Sequence, residues 1–77
     1  MERTKKLAVG YLWHKALADK EKAELSLNLL MEKSVGIGDH STEDFYSNLD
    51  EALNLLVDAE DRIETLTQKY SHMLDKT

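Results

Sequence analysis

The feature that most constrains this fold is an apolar repeat in the second half of the chain. From residue 45 onward, apolar side chains recur at alternating intervals of four and three residues: Phe45, Leu49, Ala52, Leu56, Ala59, Ile63, Leu66, Tyr70 and Met73. This spacing keeps one apolar seam on one side of an α-helix, whereas a half-buried strand requires alternation by two. The repeat therefore predicts a long helix that packs lengthwise against another helix.

The first half of the chain carries a noisier version of the same repeat, with a lysine in the middle: Val9, Trp13, Ala16, Lys20, Ala23, Leu27 and Leu30. Gly10 interrupts it, and a glycine inside a helix costs about 1 kcal/mol relative to alanine. We therefore expect Gly10 to mark either the start of the helix or a place where another helix comes close.

A single break separates the two repeats, at residues 34–41, where two of the three glycines lie. The pattern predicts one all-α domain over residues 1–77, with helix 1 at about 4–34, a turn at 35–41 and helix 2 at about 42–75. Gly residues favour helix ends, and a serine hydroxyl can cap the first free N–H groups of the next helix. The expected turn and capping residues are Gly36, Gly38, Asp39, His40 and Ser41. Anion binding by the turn, or a metal at Asp39 and His40, are the less favoured alternatives.

Charge favours antiparallel packing of the two helices, because residues 1–33 carry a net charge of +2 and residues 39–77 carry −7. A lone hairpin would leave several leucines exposed to solvent, among them Leu7, Leu25 and Leu53. Large exposed apolar strips usually mark an interface. We therefore expect the hairpins to form a homo-oligomeric bundle, most simply of four helices. The seam residues assigned to this assembly are Phe45, Leu49, Leu56, Ile63 and Leu66.

The amino-acid composition argues against several functional classes for this protein. Without cysteine there is no disulfide scaffold and no thiolate metal site, and the three histidines lack the spacing of metal ligands. The apolar runs are too short to cross a membrane, and the N-terminal residues lack the apolar stretch of a signal peptide, so we expect a cytoplasmic protein. A net charge of −5 disfavours direct nucleic-acid binding. No catalytic motif occurs, and we expect neither enzymatic activity nor a cofactor or metal.

The open end of the hairpin, opposite the turn, holds the most suggestive chemistry. If residue i of helix 1 lies beside residue 76 − i of helix 2, basic and aromatic side chains from both helices gather there. Cations beside stacking aromatics are suited to a nucleotide or another planar anion. The candidate ligand-binding residues are Lys5, Lys6, Tyr11, Trp13 and Tyr70. The alternative is a frayed, solvated terminus.

Three segments carry a resemblance to a known family: Leu29-Leu30, then Val35–His40, then Ala59–Leu66. Together they resemble small helical-hairpin proteins encoded mainly by tailed bacteriophages, many of them T4-like, over roughly residues 14–70. The resemblance implies a phage accessory protein working in the host cytoplasm, and by itself implies no reaction.

The architecture is also similar, more weakly, to the oligomeric hairpins with which phages sequester cyclic nucleotides of bacterial immunity. Those sponges carry arginine and tryptophan in the second helix, whereas helix 2 here has one arginine, Arg62, and no tryptophan. No binding residue is therefore carried over from them. The expected function is non-enzymatic sequestration of a small anionic signal, such as a cyclic nucleotide, by an anti-defence sponge. The alternative is a protein–protein module that docks on a host or phage protein through an acidic or apolar helical face.

Overall fold

A computed structural model describes residues 2–32 and 42–74 of the chain, and this part is entirely helical. Helix α1 spans Glu2–Glu32 and helix α2 spans Thr42–Tyr70, followed by a short 3₁₀ helix at Ser71–Met73. The molecule is a rod of 56 × 20 × 18 Å. The predicted all-α, two-helix fold is confirmed. The expected turn and capping residues Gly36, Gly38, Asp39, His40 and Ser41 lie outside the described residues.

The end of α2 differs from the sequence pattern, which extends the helix to about residue 75. The α-helix stops at Tyr70, where the backbone leaves helical geometry with φ −133° and ψ 22°. The chain then tightens into the 3₁₀ helix, and the Leu74 N–H donates a hydrogen bond to the Ser71 carbonyl at 3.2 Å. Such a turn satisfies a carbonyl that a helix terminus otherwise leaves without a partner.

The interface between α1 and α2 is built on small side chains. Ala16, Ala23 and Ala59 have no exposed surface, and Ala52 is 8% exposed. On each helix the two alanines are one heptad apart, so they fall on the same line of the seam. No large side chain is fully buried in the described residues. The alanines therefore let the helices approach, while larger side chains cover the edges.

The seam residues assigned to an oligomer lie along this intramolecular interface. Leu66 is 7% exposed, and the others are half-buried: Phe45, Leu49, Leu56 and Ile63. From the sequence alone, these positions are expected to form contacts between copies. A heptad seam is satisfied by whichever helix lies alongside it, so these positions are partly covered within one chain, and their contacts between copies stay a prediction.

A polar network joins the helices on one side of the rod. Arg62 Nη2 of α2 donates to Asp19 Oδ2 of α1 at 2.9 Å, and Arg62 Nε donates to Asp58 Oδ2 at 3.1 Å. Lys15 Nζ donates to both oxygens of Asp19 at 3.0 and 3.1 Å. This bridge runs against the overall charge bias, since the acid lies on the basic helix and the base on the acidic helix.

The two cations change the acidity of Asp19. Hydrogen bonds from Arg62 and then from Lys15 lower the pKa of the Asp19 carboxyl below its ordinary value of 3.8. In return, the hydrogen bond to Asp19 raises the pKa of the Arg62 guanidinium. Both shifts stabilise the charged forms, so the ion pair persists across the neutral range.

Candidate binding pocket at the open end

The open end of the hairpin holds a pocket of about 690 Å³, between the first half of α1 and the end of the described chain. One face of α1 supplies most of its wall, because residues three and four apart share a face of a helix. Met73 of the 3₁₀ helix and Leu74 complete it. The α1 residues that line it are Arg3, Lys6, Leu7, Gly10, Tyr11, Trp13, His14 and Leu17.

The polar part of this open-end pocket is basic. Arg3, Lys6 and His14 line it, and none of the described lining residues is acidic. The His14 Nδ1 atom lies 2.8 Å from the Gly10 carbonyl oxygen, which can only accept, so Nδ1 carries the proton. Nε2 is then the ring nitrogen directed away from the helix backbone. The pocket is therefore locally positive in a protein whose net charge is −5.

Two aromatic rings and a bare stretch of backbone form the apolar part. Tyr11 is 65% exposed, and Trp13 is half-buried. At Gly10, a Cβ atom would meet nothing within 4 Å. Gly10 lies inside α1, which begins at Glu2, and its missing Cβ does not make room for a neighbouring helix. Its missing side chain leaves the pocket open.

The structure brings together three of the five candidate ligand-binding residues. Lys6, Tyr11 and Trp13 line the pocket. Lys5 is exposed but does not line it, because one residue along a helix turns the side chain by about 100°. Tyr70, at the end of α2, is 38% exposed and does not line it either.

His14, Gly10 and Leu17 belong to the site but are not among the residues predicted from the sequence. The spacing of three and four residues from Arg3 through Leu7, Gly10 and His14 to Leu17 could have identified this face of α1. The participation of Met73 and Leu74 could not have been found that way, since it depends on where α2 ends.

Two further grooves lie between the helices, and each has an acidic side chain in its wall. A groove of about 490 Å³ includes both Lys22 and Glu51. A smaller one of about 250 Å³ includes Leu12 beside Thr65 and Leu66, close to the expected 76 − i register, together with Asp61 and Arg62. Their mixed charge suits an anion less well than the open-end pocket does.

Comparison with known proteins adds no relative: no protein-family model, curated protein or solved structure matches the chain. Within residues 2–32 and 42–74, neither helix has a stretch apolar enough for a membrane crossing.

Proposed function

We propose that this protein is a non-enzymatic binding protein whose open-end pocket holds a small planar anion of the nucleotide class. The observation that carries the proposal is the convergence of Arg3, Lys6 and His14 with Tyr11 and Trp13 around one cavity, without an acidic side chain among its described lining residues. Its volume of about 690 Å³ lies within the range of roughly 300–1,000 Å³ that is usual for small-molecule sites.

Some lining residues can bind the phosphate of a nucleotide through charge, and others can stack on its base. The Arg3 guanidinium can donate two parallel hydrogen bonds to one phosphate, and the Lys6 ammonium adds a second positive charge. A flat base gains contact area on the rings of Tyr11 and Trp13, with a contribution of about 1–3 kcal/mol per stacked base. Leu7, Leu17, Met73 and Leu74 exclude water from one side of the ligand.

In its fuller form, the proposal is that an assembly of copies sequesters a cyclic nucleotide of an immune signalling system. Binding without chemistry suffices for sequestration. The resemblance to phage hairpin proteins supports this form, and the charge and shape of the pocket support the ligand class.

Ligand-induced stabilisation tests the proposal directly. A ligand that binds only the folded state raises stability by RT ln(1 + [L]/Kd), about 2.7 kcal/mol at a hundredfold excess over Kd. We expect at least one cyclic mono-, di- or trinucleotide to raise the melting temperature. No shift with any member of such a panel would refute the nucleotide-class proposal.

Lys5 and Lys6 provide a matched pair of variants. Lys6→Glu places a carboxylate in the wall of the pocket and should abolish the nucleotide-induced shift. Lys5→Glu makes the same change in net charge one residue away, outside the pocket, and should keep the shift. Equal losses in both variants would show that only the overall charge matters and would contradict the proposed site.

A second candidate function is docking on another protein through α2. Its outer surface exposes Tyr46, Leu53 and Val57 by 56%, 50% and 48%. The helical period places three carboxylates on the same side of α2, at Asp50, Glu60 and Glu64. A protein partner with a basic rim and an apolar centre would fit this surface. Leu53→Lys should then abolish binding of that partner while leaving any nucleotide-induced shift unchanged.

A further inference from the structure

Helix α1 carries a second set of apolar side chains outside its buried seam, and α2 leaves them largely exposed, although Leu29 also lines the groove between the helices. At about 100° per residue, this second set falls within roughly 20° of one line, on the side of α1 away from Ala16 and Ala23, and His14 and Lys22 flank this line at about 40°. We name this set the outer face: Leu7, Tyr11, Ala18, Leu25 and Leu29. Its four large members are 47–65% exposed and form two apolar pairs, Leu7 with Tyr11 and Leu25 with Leu29, with Ala18 between the pairs.

The outer face is symmetric in sequence about Ala18. Leu7 and Leu29 lie eleven residues on either side of it, and Tyr11 and Leu25 lie seven. An isologous interface requires that residue i contacts residue j while j contacts i. A second α1 placed antiparallel, with a two-fold axis at Ala18, meets this requirement at every position. Leu7 then lies opposite Leu29 of the second copy, and Tyr11 opposite Leu25.

The charges beside the outer face obey the same symmetry. Lys15 and Glu21 lie three residues on either side of Ala18, so the two-fold axis places each beside its opposite charge on the other copy. The Lys15 side chain is 52% exposed while its ammonium donates to both oxygens of Asp19, and one N–H remains for a second carboxylate. His14 and Lys22 also fall opposite each other.

The exposed area of one chain leaves room for such an interface. The chain exposes 6122 Å², whereas a folded monomer of 8.8 kDa typically exposes about 4,800 Å². A rod of 56 × 20 × 18 Å has more surface for its mass than a globular monomer, and a standard interface of roughly 800 Å² per partner takes up a small part of it.

We propose that the outer face of α1 pairs two copies of this chain, antiparallel and with the two-fold axis at Ala18. The small Ala18 side chain lets the two α1 helices come close at the axis, as the seam alanines do within one chain. Each α1 is then covered on its buried seam by its own α2 and on its outer face by the second α1.

This pairing also reaches the open-end pocket. Leu7 and Tyr11 belong both to the outer face and to the pocket lining. Leu25 and Leu29 of the second copy would therefore lie at the mouth of the pocket and narrow it. This consequence for ligand binding rests on the proposed function, whereas the pairing itself does not.

Cysteine cross-linking tests the symmetry, because the native chain has no cysteine. We expect Ala18→Cys to form a covalent dimer on mild oxidation, since the two residues 18 face each other across the axis. Tyr11→Cys and Leu25→Cys should each fail to cross-link alone, but an equimolar mixture of the two should yield the mixed dimer. Gln68→Cys, exposed on α2, is the control that should stay monomeric on denaturing gels.

The mass in solution supplies the second measurement. The native protein should sediment at twice 8.8 kDa. Leu25→Lys should reduce the mass to that of a monomer with helix content retained, and Val57→Lys, an exposed apolar-to-basic change on α2, should not. If the native protein sediments as a monomer, the proposed pairing is wrong. It is also wrong if Tyr11→Cys alone cross-links as efficiently as its mixture with Leu25→Cys. Neither measurement involves a nucleotide, so failure of the pairing and failure of the pocket are distinguishable.

Discussion

Replacing Gly10 with alanine should stabilise the protein. A glycine in a helix interior is about 0.8–1.0 kcal/mol less favourable than alanine, because its backbone loses more freedom on folding. Gly10 lies within α1, and the added Cβ atom would meet nothing within 4 Å. The full propensity difference should therefore be gained without a steric cost.

The expected gain of about 1 kcal/mol corresponds to a rise in melting temperature of roughly 4–8 °C for a domain of this size. Thermal unfolding followed by far-ultraviolet circular dichroism measures it, at one fixed protein concentration because any association makes the melting temperature concentration-dependent. The matched control is the reverse change at an exposed neighbour, Ala8→Gly, which should lower stability by a similar amount.

The sign of the Gly10→Ala effect is decisive. A melting temperature that is unchanged or lower in Gly10→Ala, together with the expected loss in Ala8→Gly, would refute the reasoning. It would mean that some group packs against the backbone at residue 10 and leaves no room for a methyl group.

Three further predictions follow from the seam, the ion pair and the pocket. Ala59→Leu should destabilise the protein by about 1–3 kcal/mol in urea unfolding through overpacking of a fully buried position, whereas Asn54→Leu on the exposed side of α2 should change stability little. Because the pKa of Asp19 is lowered on folding, its contribution to stability is full above its ordinary value of 3.8 and is lost as the pH falls through the lowered value. Asp19→Asn should thus be less stable than the native protein near neutral pH, with the difference shrinking in acid; a difference that grows in acid would contradict the Asp19–Arg62 bond. Gly10→Leu should keep the stability gain of the alanine variant but fill the open-end pocket, so a nucleotide-induced shift that survives in it would place the ligand elsewhere.

The two helices and the faces they bury follow from the spacing of apolar residues. Residues that share a face of a helix are set by the helical period, so the repeat from Phe45 to Leu66 is enough to identify the seam. Lys6, Tyr11 and Trp13 lie within two turns of α1, so the helical period brings them together, whereas Tyr70, which the hairpin register adds to them, does not line the pocket.

Which neighbour fills each face is a property of the three-dimensional packing. The same seam pattern serves contacts within one chain or between chains, and the structure fully buries Ala16, Ala23 and Ala59 within one chain. It also pairs Asp19 with Arg62 against the overall charge bias, and it brings Met73 and Leu74 into the pocket in place of Tyr70. The spacing of apolar residues determines which side of a helix a side chain lies on. Which residue it contacts depends on where each helix ends and on how closely the small residues let the two helices approach.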